Sequence, residues 1–275
     1  MLSLDFAIDA APLAAEEIFN IGPLAITNSM LLGLAAAFFT LLVLGLAASL
    51  SQLQPRFKLA FYLESLVDLI LKTATDSFGD RQKALKHLPF LATLFIFILV
   101  SNLSGLLPGV DTLQAKVDGH DVSLFRSFTT DLNATLAMAI LTIGLVQFYA
   151  LRELGLKGHI KHYFSSKPWN PINLFIGLNE IFSELLRIVT LSMRLFGVIY
   201  AGEVLLFTVG QLAGNFAWAA TLPIMFLEIF FCLVQAYIFM MLTAAYLSMS
   251  TTNNALESRK SAKEGRTQVR LEAAH

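Results

Sequence analysis

The chain has 275 residues, of which 56% are hydrophobic and 14% are Asp, Glu, Lys or Arg. Soluble domains carry about 25% charged residues and must cover their surface with polar groups. This composition cannot do so, which excludes a soluble enzyme, a disordered chain and a nucleic-acid binder and points to an integral membrane protein. The formal net charge of −1 says little; where the charges fall says more. The single cysteine, Cys232, excludes an intramolecular disulfide and sits in an apolar run, where a small buried hydrophobe is expected.

Residues 1–28 carry Asp5, Asp9, Glu16 and Glu17 and no Lys or Arg, so a secretory signal is not expected. A spanning helix needs about 20 mainly apolar residues. The first such run is Met30–Leu50, with Asn28 or Ser29 as its N-cap. Residues 51–87 keep a helical apolar spacing but hold ten charged side chains, from Arg56 to Lys86. They read as an amphipathic helix at the membrane surface, ending in a basic turn. The second span is Leu88–Leu107, stopped by Pro108-Gly109, and a polar stretch follows over 110–131. The third span is Leu132–Leu151, and a basic stretch occupies 152–168. From Pro171 to Met249 the chain is nearly all apolar, with a soft break at residues 210–215. That leaves two segments of about 35–40 residues, some 50–60 Å if helical, too long to cross upright. The polar tail from Thr251 is expected to be mobile. No internal repeat or soluble domain is visible. The chain divides into an external segment at 1–28, the first transmembrane helices with their amphipathic helix over 29–168, the two long helices over 169–249, and a tail over 250–275.

Fifteen of the 19 Lys and Arg fall in 51–58, 72–86, 152–167 and 259–270, whereas 1–28 and 110–131 hold only Lys116 and Arg126. The positive-inside rule puts the basic segments in the cytoplasm and the acidic ones outside. An outside N-terminus and an inside C-terminus need an odd number of crossings, and the apolar runs give five.

Six ionisable groups remain within 171–249: Glu180, Glu184, Arg187, Arg194, Glu203 and Glu228. A charge at the bilayer centre costs about 2.5–3.5 kcal/mol on translocon-type scales, so charges kept there usually pair, line an aqueous cavity or act on ions. At about 100° per residue, Glu180, Glu184, Arg187 and Arg194 lie within about 80° of one another. Glu203 falls on roughly the opposite face. Glu228 and Gln235 share a face of the last helix, which Tyr246 extends. Arg194 has no carboxylate at i±3 or i±4, and a guanidinium is permanently charged. Its anionic partner must come from another helix or another chain. Glu203 and Glu228 can gain and lose a proton and are candidate proton carriers.

The stretch Leu191-Ser192-Met193-Arg194-Leu195-Phe196-Gly197-Val198-Ile199-Tyr200-Ala201-Gly202-Glu203 resembles the signature of subunit a of F-type ATP synthase. Ile26-Thr27-Asn28, Thr130-Asp131-Leu132-Asn133-Ala134-Thr135, Asn170-Pro171-Ile172-Asn173, Gln235-Ala236-Tyr237-Ile238-Phe239 and Tyr246-Leu247-Ser248 agree in order. The resemblance implies an all-α membrane protein with five crossings, an amphipathic surface helix and two long tilted helices against a ring of c-subunits. It implies that Arg194 faces the ring carboxylate, that Glu203 and Glu228 work together in one half-channel, that Gln235 lies near the arginine, and that Glu180 belongs to the opposite half-channel. Arg187 matches a position that is basic in some members and is, with Tyr246, a secondary candidate. Glu184 matches no assigned position. Val198 departs from the family, in which Asn is frequent there. The implied partners are the c-ring, the peripheral-stalk b subunits, other ATP synthase subunits and the lipid bilayer of a bacterial plasma membrane; no cofactor, metal or nucleic acid is implied, and the subunit itself performs no covalent chemistry. The alternative is a stand-alone secondary transporter or ion channel with Arg194 binding an anion. The internal repeats and broken half-helices common in transporters are not visible. An intramembrane enzyme is disfavoured: the sequence has no Gly-x-Ser-x-Gly and no His-Glu-x-x-His, and all five His are expected in loops, surface segments or the tail.

Overall fold

The computed structural model describes residues 17–21, 24–53, 58–107, 114–117, 120–123, 126–163 and 171–272. Six helices dominate: α1 (Asn28–Leu53), α2 (Lys58–Phe78), α3 (Arg81–Gly105), α4 (Leu132–Tyr163), α5 (Pro171–Ala213) and α6 (Ala217–Glu272). Two short antiparallel hairpins, which the sequence pattern did not announce, precede α1 (Glu17–Ile21 with Leu24–Thr27) and join α3 to α4 (Gln114–Val117 with His120–Ser123). Four stretches are long and apolar enough to cross a membrane: Asn28–Leu46, Arg81–Gly105, Leu132–Glu153 and Gly177–Thr251. The last takes in both α5 and α6. The chain is thus a predominantly helical, multi-pass membrane protein.

The helix ends follow from local chemistry and shift several sequence boundaries. Thr27, not Asn28 or Ser29, caps α1 at the third helical amide, its Oγ1 accepting from Met30 N at 3.4 Å. Asn28 Oδ1 accepts from Ser29 N at 2.9 Å. The segment 51–87 is not one surface helix and a turn. The last residues of α1 occupy its start, and α2 ends at a Gly79 of positive φ (65°), whose N–H reaches Thr75 O at 2.8 Å. Asp80 then caps α3 by accepting from Gln82 N, so the second membrane helix begins seven residues before Leu88. The amphipathic character of α2 holds: Ile70, Thr73, Ala74 and Phe78 are buried and Glu64, Asp68, Lys72 and Asp76 are exposed. Helix α4 runs on into the basic stretch as far as Tyr163, and α6 continues through the polar tail to Glu272. The tail is rich in Ala, Leu, Glu, Lys and Arg, good helix formers that extend an existing helix without a new nucleus. The break between the long helices is a short 3₁₀ turn, Gly214–Phe216, with Gly214 at φ 50°.

Helix α6 is the hub and packs against α2, α3, α4 and α5, whereas α1 packs mainly on α3. The contact of Gly202 with Glu228 and that of Arg187 with Tyr246 make α5 and α6 an antiparallel hairpin. One core runs through the bundle and includes Ile70, Leu91, Phe95, Leu195, Phe239 and Leu247. Most residues of the Gly177–Thr251 stretch are not buried, and large apolar side chains such as Leu185, Met193, Phe226 and Phe230 are exposed, as a lipid-embedded protein requires. His87 corrects the expectation that every histidine lies in a loop, at a surface or in the tail. It is 1% exposed, stacked on Phe78, edge-on to Tyr149 and 3.4 Å from Glu153, which Lys86 also pairs at 2.6 Å.

Candidate functional site

The embedded charges sort into three groups along α5. Arg194 lies between the other two and points out of the bundle. Its neighbours Leu191 and Leu195 are buried in the core, but Arg194 itself is exposed, as are Thr190, Met193, Gly197 and Ala201 around it. Among the described residues it makes no ion pair or hydrogen bond. Thr190 and Ala201 share its helical face with Gly197 nearby, so a stripe of small residues flanks the guanidinium and would let another helix approach closely. Val198 is half-buried.

The second group lies toward the Gly105 end of α3. Glu228 of α6 is 4% exposed and Glu203 of α5 is half-buried. The two carboxyls interact electrostatically across the helix pair. Glu228 rests directly on Gly202: a Cβ there would lie 2.5 Å from its Oε1 and 2.8 Å from its Cδ. One turn on, the Cys232 carbonyl accepts from Asn102 Nδ2 of α3 at 3.5 Å. Glu228 Oε2, Asn102 Oδ1 and Ser101 Oγ are buried with no hydrogen-bond partner. Gln235 is 3% exposed and its Nε2 is likewise unpartnered. The register of the hairpin puts Gln235 level with residues 195–198, beside Arg194 in height but on the interior side.

The third group lies toward the Glu153 end of α4. Glu180, Glu184 and Arg187 are half-buried on the edge of α5 that meets its neighbours. Arg187 sits over the Tyr246 ring at 4.9 Å, a cation–π contact to α6. Glu184 accepts a hydrogen bond from Gln147 Nε2 of α4. The four residues on one sequence-derived face therefore part company: Arg194 looks outward, and Glu180, Glu184 and Arg187 sit along the packing edge. Sequence reasoning missed Gln147, Asn102 and Gly202. The signal for the first two was an amide well inside an otherwise largely apolar span; the third had none, because a glycine's role depends on what packs on it. No group of three His, Cys, Asp or Glu suited to a metal occurs among the described residues.

Fold and charges together define a polytopic helical membrane protein whose carboxylates within the Gly177–Thr251 stretch lie on its last two helices, on either side of an outward-facing arginine. A family model described as ATP synthase A chain matches residues 29–248. Similar proteins include ATP synthase subunit a 2 of Pelobacter propionicus, 33% identical over 92% of this chain and 98% of that one. Subunit a of Moorella thermoacetica is 33% identical over 84% and 94%, and that of Marinomonas sp. is 30% identical over 87% and 88%. The chain belongs to the ATP synthase subunit a family, a membrane-sector subunit of the F-type synthase.

Proposed function

We propose that this chain is the stator of a rotary, proton-driven ATP synthase, and that Arg194 is the group around which the ring of c-subunits turns. The observation that carries this reading is the outward Arg194 in an apolar helix face, with no ion pair among the described residues. A permanent cation there needs an anion from another chain, and a carboxylate on a neighbouring helix supplies it. The other partners in this reading are the b subunits of the peripheral stalk. Five crossings, with α5 and α6 each counting as one, leave the N-terminus outside and the C-terminus in the cytoplasm of a bacterial plasma membrane.

The chemistry follows from the cost of charge in hydrocarbon. A ring carboxylate arriving from lipid is protonated, because the bare anion is too costly there. Beside Arg194 the anion is stabilised, so its proton leaves through one aqueous half-channel. The ring steps on, and the next site is reprotonated through the other. Glu203 and Glu228, nine residues or about 13 Å along α5 from Arg194, serve the outer half-channel with Asn102. Glu180, about 21 Å away in the other direction, serves the inner one. Gln235 lies level with Arg194 and supports it, and Arg187 with Tyr246 closes the α5–α6 seam. Arg194 also bars protons from passing straight between the half-channels. The membrane field supplies about 2.3 kcal/mol per charge per 100 mV.

Arg194→Ala in the assembled complex tests the reading. We expect ATP synthesis driven by a proton gradient to be lost, at least a hundredfold down, with the complex still assembled. Synthesis at the normal rate would overturn it.

A further inference from the structure

Glu184 has no part in the mechanism above, yet it is an ionisable group within a membrane-spanning stretch, and such groups are costly unless used. It is half-buried and held from α4 by the Gln147 amide. Gln147 is itself out of place for a lipid-facing position: from Ile143 to Phe148 it is the one side chain able to donate a hydrogen bond, and it is turned partly inward. A charge-assisted hydrogen bond of this kind orients a carboxylate and keeps it from swinging into lipid. Gln147 is six residues before Glu153, at the basic end of α4. Glu184 therefore stands on the inner side of Arg194, ten residues or about 15 Å away along α5, one turn nearer than Glu180. Arg187, over Tyr246, is one turn closer still.

We propose that Glu184, oriented by Gln147 across the α4–α5 contact, is a second proton-carrying carboxylate of the inner half-channel, between Glu180 and Arg194. This rests on the stator reading above. Protons leaving the ring pass from water near Arg194 to Glu184, then to Glu180 and the inner surface. Each transfer moves one proton between a carboxyl and water, so no co-reactant is needed. Gln147 is a positioning residue: it holds the acceptor oxygens without titrating.

The rival role is a strut that only ties α4 to α5, and the side chains separate the two. Glu184→Gln keeps a hydrogen-bonding partner for Gln147 but cannot carry a proton; Glu184→Asp keeps the proton but shortens the strut. Proton conduction through the membrane sector, measured in vesicles stripped of the catalytic head and normalised to assembled complex, is expected to fall at least tenfold in Glu184→Gln. In Glu184→Asp it stays within about threefold, and in Gln147→Leu it falls a few fold. Wild-type conduction in Glu184→Gln overturns the proposal, as does a loss shared equally by Gln and Asp. Should Glu184→Gln fail to assemble, Glu184→Cys in a Cys232→Ala background decides the matter. Reaction of that thiol with silver ion added on the inner side is expected, and full protection overturns the proposal. Arg194→Ala, measured in parallel, separates the failures: if it abolishes coupled synthesis while Glu184→Gln conducts normally, the stator reading stands and this inference falls.

Discussion

At the scale of single residues, the site rests on which atoms can approach one another. Gly202 is the clearest case, because the Glu228 carboxyl occupies the space a side chain would fill. A methyl group there must push the carboxyl aside, although its Oε2 already lacks a hydrogen-bond partner. Gly202→Ala is therefore expected to slow proton conduction several-fold with the subunit still assembled; an unchanged rate would show that the present seat of Glu228 is unimportant. Glu203→Gln removes the other titratable partner and keeps the shape. It is expected to slow conduction at least tenfold, and a defect confined to assembly would count against a relay. Arg194 and the carboxyls were legible in the sequence because charge in an apolar run is conspicuous. Gly202 and Gln147 were not, because their meaning lies in a neighbour on another helix.

At the scale of elements, the apolar runs located the membrane helices and the caps fixed their ends. Hydropathy alone set the start of the second span at Leu88, whereas the Gly79–Asp80 turn starts the helix at Arg81. The basic first turns of α3 sit outside the apolar run and were assigned to a turn for that reason. Asp131 does more than cap. Its Oδ1 accepts from Asn133 N at the start of α4 at 3.0 Å, and its Oδ2 accepts from Ser29 Oγ of α1 at 2.9 Å, in a site where Asp131 is 5% exposed. One carboxylate thereby joins the starts of two helices far apart in sequence. Asp131→Ala removes a cap and the hydrogen bond from Ser29 Oγ, at a cost of about 1–3 kcal/mol. Thermal unfolding of the purified complex is expected to show earlier release of this subunit, whereas Asp131→Asn, whose amide oxygen can still cap Asn133 N while its NH2 donates to the Ser29 hydroxyl, recovers most of the loss. Equal behaviour of the two variants would assign the effect to charge and not to capping.

At the scale of the whole molecule, length and charge decide the path through the membrane. Helix α5 meets Gln147 of α4 at Glu184 and Thr135 of α4 at Ser192, so α4 has reached its first turn there while 21 residues of α5, about 31 Å, still run on to Ala213. A helix that outlasts its neighbour by a full bilayer thickness cannot stand upright beside it. The excess length was legible in the sequence; its cause, a hairpin with α6 reaching past the rest of the bundle, needed the contacts. On the proposed five-crossing path the hairpin counts as two crossings, so the ends of the chain should lie on opposite sides. In a Cys232→Ala background, where the buried native thiol is gone, single cysteines at Ala14 and Ala262 test this with a membrane-impermeant maleimide. Ala14→Cys is expected to react in right-side-out vesicles and Ala262→Cys only in inverted ones. Labelling of both from the same side would make the crossing number even. It would force either α1 or one arm of the α5–α6 hairpin out of the membrane, and would overturn the proposed placement of Arg194 between two half-channels.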